Sequence, residues 1–125
     1  MSRSITIAAG DVTVAAELDE SPTAHAVWDA LPIDAAANVW GDEIYFEIPV
    51  DLQQAPDARE EVEVGTLAYW PMGSAFCIFF GPTPVSRGGG PRAYSPVNVF
   101  GSITGDTAPL RGVPQGARVL VTAAG

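Results

Sequence analysis

Residues 62–86 read VEVGTLAYWPMGSAFCIFFGPTPVS. The stretch holds two apolar runs, 66–70 and 75–80, separated by Pro71, Met72 and Gly73. Proline and glycine between two apolar runs signal a turn, so the segment predicts a hairpin at the centre of a β-sheet. Tyr69, Trp70, Phe76, Phe79, Phe80 and the single cysteine, Cys77, all fall within it.

Outward from this hairpin the chain is a series of short strands. Residues 4–8 and 12–18 alternate about a turn at Gly10 and Asp11, which predicts a first hairpin with Val12, Val14, Ala16 and Leu18 inward. Ser21 is a good N-cap and Pro22 suits the first helical position. Ala24, Val27, Trp28 and Leu31 recur at helical spacing, so one amphipathic helix is expected over 21–31. Its length is too small to persist in isolation, so it must pack on the sheet. Residues 35–40 form a strand of small side chains. Residues 43–48 alternate Ile44, Phe46 and Ile48 against Glu43, Tyr45 and Glu47, the pattern of a half-buried strand. Residues 51–61 are polar and read as a loop. Residues 97–103 and 117–123 supply the last strands. Eight short strands with turn signals at this spacing predict a mainly β protein, a closed eight-stranded barrel with one capping helix.

The chain has 125 residues, the size of one domain, and 47% of them are apolar. Its formal charge is −9, and all six basic residues are arginine. Phosphate contacts need a basic face, so the balance argues against a nucleic-acid partner, and against an anionic membrane surface. No apolar run approaches the ~20 residues of a membrane span. The first residues lack a signal-peptide apolar region. One cysteine makes no internal disulfide. These features predict a soluble, cytoplasmic, single-domain protein over residues 1–125.

The order of elements resembles the cyclophilins. VTVAAELDESPTAHAVWDAL (12–31) is similar to their second strand and first helix. GTLAYW (65–70) followed by SAFCIFF (74–80) is similar to their central Gly-x-Leu strand and their Ser-Gln-Phe-Phe strand. VNVFGSITGD (97–106) resembles their Val-Phe-Gly segment. YWPMGSAFCIFFGPTP (69–84) with PVNVFGSI (96–103) more closely resembles a small prokaryotic family with a minimal cyclophilin-like barrel. The resemblance implies the fold. It does not carry over the catalytic set: cyclophilins that isomerise X–Pro bonds place an arginine in a Phe-His-Arg-Ile-Ile strand. With Gly41 and Pro49 in register, Phe46 stands there. Ala75 replaces the glutamine of Ser-Gln-Phe-Phe, and Cys77 its second phenylalanine.

Several residue types invite chemistry. A nucleophilic thiol wants a base beside it. The single histidine, His25, sits on the helix, so Cys77 reads as an inert buried cysteine. Glu43 and Glu47 share one face of a strand with Tyr45 between. Paired carboxylates can perform acid–base work, but here they read first as a solvated face. No metal-ligand spacing occurs, and no cofactor is implied. Gly88, Gly89 and Gly90 lack the Lys-Ser or Lys-Thr and the helix of a phosphate loop, so they read as part of a flexible lid.

The segment 81–96 carries four glycines, four prolines, Arg87 and Arg92. A loop of this length is usually a functional lid or a disordered linker. Its arginines either pair with surface carboxylates or clamp an anionic ligand. Tyr69, Trp70, Phe79 and Trp40 fall on both faces of their strands, whereas a small barrel fills its interior from one. The expected function is therefore a binding module for a small molecule or short peptide. Its site would be a groove edged by Tyr69, Cys77, Phe79 and Asn98, roofed by the 81–96 loop and anchored by Arg87 and Arg92. A prolyl isomerase, or an oligomerising protein whose outer apolar patch is an interface, are the alternatives.

Overall fold

The computed structural model describes residues 3–124. Ten strands and one α-helix follow in order: β1 (Arg3–Ala9), β2 (Val12–Leu18), α1 (Pro22–Asp29), β3 (Ile33–Ala36), β4 (Asn38–Val39), β5 (Glu43–Glu47), β6 (Arg59–Glu61), β7 (Thr66–Trp70), β8 (Ala75–Phe79), β9 (Arg92–Ile103) and β10 (Arg118–Ala123). Every pairing is antiparallel. The protein is mainly β, as the alternation predicts.

The expected closed barrel needs correction. The hydrogen-bonded order runs β3-β10-β1-β2-β9-β7-β8-β5-β4, an open path with β6 attached to β9 at the side. Its two ends, β3 and β4, are consecutive in the chain and separated by Ala37 alone. Ala37 donates to Ala117 O at 2.8 Å and accepts from Gly116 N at 2.8 Å. The segment 33–39 therefore changes partner at Ala37, from β10 to β5, and this change splits what reads in the sequence as one strand.

The interior is filled from one face of each strand. Ile5, Ile7, Val14, Ala16, Leu18, Ile44, Phe46, Leu67, Ile78, Val119 and Val121 belong to one buried cluster. Phe46 stacks on Phe76 with centroids 4.8 Å apart, and Phe100 meets Phe76 edge-on at 5.0 Å. Where β9 crosses β2, Gly101 lies opposite Leu18. A Cβ there would fall 2.4 Å from Glu17 O, so this crossing admits only glycine.

Helix α1 begins where its cap predicts. Ser21 Oγ accepts from Ala24 N at 3.1 Å, and Pro22 occupies the first turn. Thr23, Ala24 and Val27 are buried, and the helix packs against β9. It is shorter than expected, ending at Asp29. Among the described residues no helix is long and apolar enough to cross a membrane.

The larger departure is at β9. The sequence places a loop over 81–96, yet β9 starts at Arg92 and runs for 12 residues. Its first half pairs with β6, matching Arg59 with Val97 and Glu61 with Arg92, before its second half joins β2 and β7. The first half of β9 therefore covers the outer face of the sheet. Ala93 and Val97 meet Ala68, Ala75, Cys77 and Phe79 in a second, smaller buried cluster.

Candidate functional site

Residues directly opposite each other in an antiparallel pair share a face. That rule assembles the site. Glu43 lies opposite Phe79, and Tyr45 opposite Cys77. Cys77 lies opposite Ala68, and Ala75 opposite Trp70. At the turn between β4 and β5, Trp40 N donates to Glu43 O at 2.9 Å and Glu43 N to Trp40 O at 3.1 Å. Gly41 makes this tight turn at φ +60°, with its open side against Pro84 and Thr83. Trp40, Glu43, Tyr45, Trp70 and Cys77 thus emerge on one outer face, and β9 adds Ala93, Tyr94 and Val97 above them.

These eight residues line a cavity of about 220 Å³. Four rings wall it in sequence. Trp40 meets Tyr94 at 6.3 Å and 71°, Tyr94 meets Trp70 at 6.1 Å and 80°, and Trp70 meets Tyr45 at 6.4 Å and 80°. Trp70 is fixed by its indole N–H, which donates to Ser95 Oγ at 2.6 Å. Tyr94 is the solvent-facing wall, 66% exposed.

The polar group in this apolar setting is Glu43. It is 5% exposed, and its Oε1 is buried without a hydrogen-bond partner. Burial pushes its carboxyl up to about 7, opposed only in part by a hydrogen bond from Cys77. Burial likewise pushes the Cys77 thiol well above its ordinary value, and the Glu43 carboxylate adds to the shift. Its sulfur also lies 3.9 Å from Ala75 O, which competes with Glu43 for the single thiol hydrogen. A thiol held protonated in this way is not a nucleophile. His25 is exposed on α1. Among the described residues no group of three His, Cys, Asp or Glu side chains is arranged to hold a metal ion.

Of the six residues expected to form the site, the structure brings only Cys77 to the cavity wall, although Trp40 and Trp70, named in the sequence for falling outside the interior face, and Glu43 and Tyr45 also line it. Phe79 lies on the same outer face but is fully buried in the second cluster. Tyr69 faces the interior. It lies opposite Phe76, and its hydroxyl donates to Val50 O at 2.7 Å and accepts from Leu52 N at 3.1 Å. Asn98, opposite Tyr69, also turns inward. Its Oδ1 accepts from Ala55 N at 2.8 Å, and its Nδ2 donates to Gln53 O at 3.0 Å and to Thr23 Oγ1 at 3.4 Å.

The two arginines are elsewhere. Arg92 pairs with Glu60 at 2.7 Å, linking β9 to β6. Arg87 is exposed in the glycine-rich turn, and that turn is closed by Ser86 Oγ donating to Gly90 O at 2.8 Å. Gly88 and Gly90 border a shallower groove beside Arg59 and Glu61. Tyr94, within the expected 81–96 loop, is the aromatic wall residue that no sequence pattern singles out, and Glu43, which with Glu47 reads in the sequence as a solvated face, is instead buried. Alternation marks Glu43 as outward-facing, and only the return of β9 reveals that this part of the outer face is covered. Glu47, on the same face of β5, remains exposed.

The antiparallel β fold, with its one α-helix packed against β9, is of the cyclophilin-like class. The chain belongs to the cyclophilin-like family, whose pattern it matches over residues 3–122. It is similar to a hypothetical protein, AF2241 from Archaeoglobus fulgidus, known from a solution structure. The two are 40% identical, with a TM-score of 0.84, over 98% of this chain and 95% of the archaeal one. No curated protein matches it.

Proposed function

We propose that this cyclophilin-like domain is a binding module whose site is the cavity between β5, β8 and the first half of β9, and that its ligand is a small molecule or one side chain of a short peptide. The observation that supports the reading most strongly is the combination of an apolar, aromatic-walled hollow with one buried polar group. Binding sites typically set a few polar groups in a mainly apolar lining. The volume of about 220 Å³ lies below the roughly 300–1,000 Å³ of drug-sized sites, which favours a compact ligand group.

Prolyl isomerisation has less support. Stabilising a twisted amide calls for a positioned donor or positive charge. Phe46, the residue in register with the cyclophilin arginine, is fully buried against Phe76. No arginine lines the cavity. The test is a thermal-shift screen of small molecules and short peptides against the wild-type protein and Tyr94→Ala. Tyr94 is exposed enough for its removal to leave the fold intact. Ligands that raise Tm of the wild type and lose that effect in Tyr94→Ala support the reading; ligands indifferent to the change place the site elsewhere.

A further inference from the structure

The lining of the cavity specifies the charge of what it holds. We infer that the outer cavity takes an organic ammonium group, with Trp40, Tyr45, Trp70 and Tyr94 around the cation and the Glu43 carboxylate as its counter-ion. The inference rests on the reading of this cavity as a ligand site, and adds the chemical class.

Three independent observations carry it. The first is the ring geometry. Successive rings meet at 71°, 80° and 80°, so the aromatic wall turns corners instead of forming one flat stack. Aromatic rings around a small hollow form the cage that recognises quaternary ammonium ligands, because each ring face is electron-rich. The second is Glu43, 95% buried by its 5% exposure and bordering the same hollow, with Oε1 lacking any partner. A buried polar atom left unsatisfied calls for an explanation, and a cationic ligand supplies one. The third is the absence of a competing cation. Arg92, Arg111 and Arg118 are paired with Glu60, Asp42 and Asp34, Arg3 lies over Trp28, Arg87 is in the 81–91 turn, and Arg59 borders the other groove. The net charge of −9 also favours approach of a cation over an anion.

Ligand binding is then coupled to ionisation of Glu43. The titratable groups that share its cavity are Cys77 from β8, which hydrogen-bonds to it, Tyr45 on its own strand and Tyr94 from β9. Asp42, its chain neighbour, is engaged by Arg111 at 2.9 Å. None of these supplies a positive charge. The free site holds Glu43 partly protonated near pH 7, so a cation that demands the carboxylate expels a proton.

The experiment is calorimetric titration of the whole protein at pH 7 with choline and with 3,3-dimethylbutan-1-ol, its uncharged carbon isostere. A short peptide bearing one trimethyl-lysine is titrated alongside to distinguish a free amine from a peptide side chain. The expected result is at least tenfold tighter binding of choline or the peptide than of the alcohol. Repeating the titration in buffers of different ionisation enthalpy should show proton release, and Glu43→Gln should abolish that release and cost at least tenfold in affinity. Tyr94→Ala, on the exposed wall, should weaken cation binding while leaving the fold intact. Equal binding of choline and alcohol overturns the ammonium assignment but leaves the cavity a ligand site. Failure of every cation to bind, with neutral ligands still lost in Tyr94→Ala, overturns it in the same way. Failure of all ligands, charged or neutral, overturns both readings.

Discussion

Glu43 is the residue at which stability and the proposed ligand site meet. Its carboxyl is raised from the ordinary 4.5 to about 7 because burial disfavours its charged form. An acid whose folded pKa exceeds its unfolded one binds more protons when folded. Its contribution is fully present below about 4.5 and is lost as pH rises through about 7. At about 1.36 kcal/mol per pKa unit, the loss comes to roughly 3 kcal/mol. Glu43→Gln removes the ionisable group, so urea unfolding at pH 5 and pH 8 should show a much flatter pH dependence than wild type. The variant should gain about 1–3 kcal/mol over wild type at pH 8. A wild-type stability that rises between pH 5 and pH 8, unchanged by the substitution, would show that Glu43 is not buried as a strained acid. Tyr69 and Asn98 act differently, as paired internal anchors. Asn98→Ala leaves Ala55 N and Gln53 O without their partner and should cost roughly 2–3 kcal/mol in chemical denaturation. It should not alter binding at the outer cavity, from which it is turned away.

At the scale of elements, the alternation in β1, β2 and β5 shows in the sequence which side chains point inward, because one face of each strand packs on a common core. The central hairpin is also legible as an element, but its phase is not. The four residues 71–74 form a 3-10 turn closed by Ser74 at φ 48°. They set Trp70 opposite Ala75, so odd-numbered residues of β7 share a face with even-numbered residues of β8. Tyr69 therefore joins Phe76 inside, whereas simple alternation through the turn would group it with Cys77. Asn98 shares a face with Tyr69 as its alternation requires, and that face is the interior. The cover of the site is hidden for another reason: β9 gains its first half only by pairing with the short β6, a contact distant in sequence that no local pattern announces. Arg92→Ala tests this pairing. Loss of its part-buried ion pair with Glu60 should destabilise the protein by about 1 kcal/mol, read as a lower urea midpoint. Arg87→Ala, in the exposed turn, should stay within about 0.5 kcal/mol of wild type.

The whole molecule is a cyclophilin-like frame in which the outer face of the sheet carries aromatic rings and a buried acid, while a core phenylalanine, Phe46, stands in register with the cyclophilin arginine. A proline-peptide isomerisation assay should accordingly give a rate at background, since Phe46 is buried in the core and no arginine reaches the cavity. Turnover abolished by changes at Trp70 or Tyr94 would contradict that expectation. The central claim, that the outer cavity is the binding site, has a built-in reporter. The chain has three tryptophans. Trp40 and Trp70 line the cavity, whereas Trp28 lies on α1 beneath Arg3, 4.9 Å from its ring. In a ¹H–¹⁵N spectrum the three indole N–H signals can be followed while a ligand is added. A bound ligand should move the Trp40 and Trp70 signals and leave that of Trp28 in place; movement of Trp28 alone would put the binding site elsewhere.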